Sequence, residues 1–145
     1  MDRSSSKTKL FLLELIIIIL FFAIAAAVCV NLFVKAKIIS DNSSDLTMAV
    51  LQGQKTAETV KGAPAGMEAD LLEGFQPGGE GRYIAYYDKN WNPIITADKS
   101  VYQTETVFYQ RDNLLVAEIS VKKAQEVLFS ITTEKFIEQN AGEEP

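Results

Sequence analysis

Residues 10–34 read LFLLELIIIILFFAIAAAVCVNLFV, a run of 25 residues in which Glu14 and Asn31 are the only strongly polar interruptions. At about 1.5 Å per residue, a helix of this length reaches roughly 37 Å, enough to cross a hydrocarbon layer of about 30 Å. Between Leu15 and Val30 the Cys29 thiol is the only polar group, so there is no amphipathic face for docking on a soluble core. The stretch predicts a transmembrane helix. Glu14 is its anomaly: a carboxylate at a membrane centre costs on the order of 2.5 to 3.5 kcal/mol, less near the edge, and calls for a partner.

Upstream, residues 1–9 form a polar leader expected to be unstructured. Arg3, Lys7 and Lys9 outweigh Asp2 and favour a cytoplasmic N-terminus, although Lys35 and Lys37 follow the span. That orientation would place the remainder of the chain outside the cytoplasm as a single-pass membrane protein. A cleaved secretory signal is the competing reading, since Ala25, Ala26 and Ala27 supply small residues. The apolar run continues past them to Val34, which weighs against it.

Downstream, apolar or small residues recur at Leu32, Ala36, Ile39, Ser43, Leu46, Val50, Gly53, Ala57 and Val60. Steps of four and three keep these on one helical face, so residues 35–61 are expected to continue the helix into water. Residues 41–45, Asp-Asn-Ser-Ser-Asp, are a soft point of low helix propensity. Gly62 and Pro64 supply the stop signal. Residues 62–82 then read as linker or loop, with a short helix within 67–75 and a flexible turn over 76–81.

From residue 83 to 137 the pattern changes to period two. Residues 82–87 and 103–109 are prone to form strands, separated by turn chemistry over 88–93. Leu115, Ala117, Ile119 and Val121 share one face of a further strand, and Val127, Phe129 and Ile131 one face of the next, so these two should pair antiparallel. A greasy sheet face needs a cover, and Leu46, Val50, Gly53, Ala57 and Val60 on the long helix can supply one. The expected fold class is α+β: a long N-terminal helix, half in lipid and half in water, packed on a small antiparallel sheet. Residues 138–145 are polar and read as a flexible tail.

Composition excludes several functions. After Lys37 nine basic side chains face 17 acidic ones, a net of −8, so there is no basic surface for nucleic acid. The chain has no histidine and a single cysteine, which removes any His/Cys metal cluster and any disulfide within one copy. No nucleophile–base pair or phosphate-binding glycine loop is present, and no cofactor is expected. Tyr83, Tyr86, Tyr87 and Trp91 read as core and cross-strand pairs ahead of a ligand platform.

The segment Leu10-Phe11-Leu12-Leu13-Glu14-Leu15, followed by an aliphatic, then Ala-rich span and a long continuing helix, resembles the N-terminal region of type IV pilins and type II secretion pseudopilins, the minor pseudopilins above all. The resemblance covers roughly residues 10–61. It implies a pilin-like fold and a structural subunit of a pilus, secretion pseudopilus or DNA-uptake filament, with the membrane, like subunits and a prepilin peptidase as partners. If processing falls between Lys9 and Leu10, the resemblance puts Phe11 second in the mature chain. Glu14 then falls on the family's acid, which attracts the N-terminal amine of a neighbouring subunit. Lys9 stands where the family has glycine. A stand-alone single-pass envelope protein with a small binding head is the alternative.

Overall fold

A computed structural model of the chain describes residues 3–137, with side chains from residue 6 onward. The expected tail, 138–145, and the first two residues of the leader lie outside the described residues. Among the described residues one α-helix, α1 (Arg3–Gly62), is followed by six strands: β1 (Gln76–Gly79), β2 (Arg82–Tyr87), β3 (Pro93–Ile94), β4 (Tyr102–Arg111), β5 (Leu114–Lys123) and β6 (Glu126–Phe136). By contacts the chain divides into two units, residues 1–43 and 44–145.

The described part of the first unit is helix alone. It begins at Arg3, so the part of the leader that is described is helical and not the irregular segment expected. Once an apolar helix is nucleated, each added residue gains a hydrogen bond, and polar residues such as Ser and Lys extend it at small cost. The helix is also unbroken through the soft point at 41–45. Lys37 and Asp41 pair across one turn there, 2.6 Å apart.

The second unit is the end of α1 laid on an antiparallel sheet of order β1-β2-β4-β5-β6, with β3 pairing β2 beyond the reach of β1. This is the α+β arrangement the sequence implies. The helix-facing side of the sheet carries Tyr83, Ala85 and Tyr87 of β2, Tyr102 to Phe108 of β4 in alternation, Ala117, Ile119 and Val121 of β5, and Phe129, Ile131 and Thr133 of β6, all joined by register. Val60, Leu72 and Ala117 form one buried cluster, with Phe75, Tyr83 and Phe108 against it. Ala85, Tyr87 and Tyr102 form a second, flanked by Trp91 and Leu128.

Three expectations are corrected. Residues 76–79 are a strand, and the turn that follows is formed by Gly79, Glu80 and Gly81, all with positive φ. Gly81 is required there because a Cβ would lie 2.7 Å from the Phe108 carbonyl oxygen. Residues 67–75 form successive turns, not a helix, and deliver Leu72 into the core. In β6 a register shift opposite Val121 and Lys122 inserts Leu128 as an extra residue. That bulge turns Leu128 inward and leaves Val127 exposed, reversing the alternation expected at this end of the strand.

Candidate functional site

The largest uncovered feature is the surface of α1 in the first unit. None of its most apolar window is buried within the chain, and the helix is long and apolar enough to cross a membrane. Every large apolar residue from Leu10 to Val34 is exposed, from Leu15 at 43% to Phe33 at 77%, and Ile38 and Ile39 extend the greasy surface past the expected end of the span. Soluble monomers rarely leave apolar patches larger than a few hundred Å² in water, so this surface needs lipid or other helices around it. Lys9, Leu10, Phe11 and Glu14 all lie within the same uninterrupted helix. Among the described residues Glu14 has no hydrogen bond or ion pair within its own chain.

In the second unit, the residues expected to bind helix to sheet are distributed unevenly. Gly53, Ala57 and Val60 are buried, Val50 is half-buried, and Leu46 is exposed. The packed stripe runs through Asp45, Ala49, Gly53, Thr56 and Val60, which rotates the buried face away from Leu46. At Gly53 helix and sheet leave no room for a side chain, since a Cβ there would lie 2.6 Å from the Phe129 ring.

Asp45, read only as part of a soft point, proves to be a clamp. Its carboxylate accepts a hydrogen bond from the Tyr102 hydroxyl at 2.6 Å and one from Lys123 Nζ at 2.6 Å. Tyr102 and Lys123 are direct cross-strand partners on β4 and β5, so one helical side chain holds two strands. Trp91, at positive φ after a turn capped by the Asp88 carboxylate, stacks on Tyr102 with ring centroids 3.9 Å apart. Burial on its own would push the Asp45 carboxyl up, but the hydrogen bonds from Lys123 and Tyr102 outweigh it and hold the group below the ordinary aspartate range. Tyr102 is pushed up by burial and then by Asp45, and Lys123 is pushed up chiefly by its hydrogen bond to Asp45.

The signs fix a pH window. Asp45 is more acidic folded than unfolded, so its contribution is complete above about pH 4 and is lost as pH falls through the folded value. Lys123 and Tyr102 are raised, so theirs is complete below about pH 10 and is lost as pH rises through their folded values. Asp45→Asn should therefore cost about 1.5 to 3 kcal/mol at neutral pH, the range for hydrogen bonds to a charged group, and flatten the acid side of the stability profile. Thermal unfolding of the full chain between about pH 2 and 6 measures this, and equal slopes for the two proteins would refute it.

The other polar clusters are structural. Glu105, buried on the outer sheet face, pairs with Arg82 at 3.0 Å and with Lys122. Lys135 donates to Glu68 at 3.1 Å and to the Ala63 carbonyl, tying the segment after α1 to β6. Burial would raise the Glu68 carboxyl, but its backbone amide contacts and Lys135 hold it low. Among the described residues no group of His, Cys, Asp or Glu is placed to hold a metal. A cleft of about 140 Å³ between α1 and Leu71–Phe75, lined by Gln52, Thr56 and Tyr87, is smaller than the roughly 300 Å³ at which small-molecule sites begin.

Among the described residues the decisive surface is thus an uncovered apolar helix with one unpaired acid, continuing into a clamped helix-on-sheet head. No family model, curated protein or solved structure matches the chain.

Proposed function

We propose that the protein is a pilin-like or pseudopilin-like structural subunit, inserted with its N-terminus in the cytoplasm and its head outside. In this reading its membrane helix joins like helices in the filament of a pilus, secretion or DNA-uptake apparatus. The observation that carries the reading is Glu14: a carboxylate on an uncovered apolar helix, without a partner among the described residues of its own chain, is supplied with one when a neighbouring subunit's amine arrives. The α1 helix continuing from that surface into a head of helix on antiparallel sheet supports the same reading. The role is assembly, with no catalytic step.

Glu14→Ala tests it. Membrane insertion and head folding should be retained, while cross-linking between neighbouring subunits falls by about tenfold or more, the factor that about 1.4 kcal/mol of lost pairing produces. Unchanged cross-linking sinks the assembly role of Glu14.

A second reading, an intact single-pass anchor for a binding head, is favoured by one observation. The bond between Lys9 and Leu10 lies inside a continuous helix, and Lys9 stands where a prepilin site has glycine. Mass spectrometry of the mature N-terminus separates the two: loss of residues 1–9 with a methylated amine marks the subunit, an intact leader the anchor.

A further inference from the structure

The two edges of the sheet are built differently. The outer edge of β2 is covered in tandem by β1 and β3, short strands that carry Pro77, Gly78, Gly79 and Pro93 and an irregular register. These are the features by which sheets discourage added strands. The opposite edge is β6, 11 residues paired along its length with β5 and, among the described residues, with no strand on its other side. It has no proline or glycine, and residues 127–133, Val-Leu-Phe-Ser-Ile-Thr-Thr, carry no charge. Its free backbone N–H and C=O groups are a template for one more strand.

We propose that this strand is β6 of a second copy, paired antiparallel about a two-fold axis at Ile131 so that two heads share one continuous sheet. β6 is complementary to itself in that register. Ile131 faces its own counterpart, Ser130 faces Thr132, and Phe129 faces Thr133. Beyond the bulge at Leu128, Val127 comes opposite Glu134 and Glu126 opposite Lys135, so no like charges meet across the seam. Val127 and Phe136, 53% and 64% exposed, stand at opposite ends of the strand. The two-fold axis makes each the diagonal neighbour of the other's copy, so one symmetric contact covers the exposed apolar side chains at both ends. An extended segment of another protein would find the same backbone groups without this matched pattern. The pairing does not depend on the filament reading or on Glu14.

The test uses the full chain in lipid vesicles with Cys29→Ala, so that each introduced cysteine is the only thiol. Two preparations, Ser130→Cys and Thr132→Cys, are mixed and oxidised; both positions are exposed and polar, so folding is undisturbed. Cross-strand neighbours lie about 4.5 to 5.5 Å apart at Cβ, so the mixture should yield about fivefold or more disulfide-linked dimer than either preparation alone. It should exceed by a similar factor a mixture of Ser130→Cys with Glu134→Cys, which is out of register. Equal yields in and out of register, or a yield no greater than that of the exposed control Glu118→Cys, would overturn the proposal. So would exclusive cross-linking of position 130 or 132 to a different protein in native membranes.

Discussion

Gly53→Val is expected to unseat the head of this protein, lowering its stability by about 3 kcal/mol or more. The first added carbon would lie 2.6 Å from two atoms of the Phe129 ring and 3.6 Å from Val121, so the ring must leave its place or the helix must lift from the sheet. A β-branched residue also loses rotamer freedom against the preceding turn, which adds a few tenths of a kcal/mol. For a domain of this size each kcal/mol moves the thermal midpoint by about 4 to 8 °C, so a drop of about 12 °C or more should be visible by near-ultraviolet circular dichroism. Phe129→Leu in the same chain should return part of the loss, because it vacates the space the valine needs. If the double variant is no more stable than the sum of the single ones, the two positions are not in contact as described.

Lys135→Met should cost a similar amount, about 3 kcal/mol, for an electrostatic reason. The substitution leaves the Glu68 carboxylate, 8% exposed, without its cation, and strips the Ala63 carbonyl of its donor. Methionine keeps the length of the stem, so packing changes little. Glu68→Gln added to Lys135→Met should recover most of the loss by removing the stranded charge, and chemical denaturation of the three proteins measures it. Because Glu68 is held below the ordinary carboxylate range in the native head, the gap between wild type and Lys135→Met should narrow on acidification through that range. A gap unchanged with pH would assign the loss to packing alone.

Much of the fold was readable in the chain because it is written in periodicity. The apolar run at 10–34, the stop at Gly62 and Pro64, and the alternation in β2, β4 and β5 each depend on near neighbours, which is the range over which pattern reports structure. What was not legible depends on distant partners. β1 contains Pro77, Gly78 and Gly79, turn residues by any local rule, and becomes a strand only because β2 lies beside it. The bulge at Leu128 changes which residues of β6 face inward, and nothing within β6 announces it. Hydrophobicity favours Leu46 for the buried stripe, while Asp45 reads only as part of the soft point at 41–45. The reverse holds, because Lys123 and Tyr102, 78 and 57 residues away, make a buried aspartate acceptable. Spacing alone could have raised Asp45, four residues before Ala49 and eight before Gly53, as an alternative origin for the stripe. For Glu14 the sequence already contained what the structure contains: an acid on an apolar helix, with no partner among the described residues.

The position of the clamp has a mechanical consequence. Asp45 is among the first residues of the second unit, and its two partners are a cross-strand pair on β4 and β5, both interior to the sheet. Tension drawn along α1 therefore enters the sheet at β4 and β5 together, each hydrogen-bonded to a strand on either side. Attachment at a border strand would leave a single neighbouring strand to hold it. A head fastened in this way spreads a pull on its helix across the sheet.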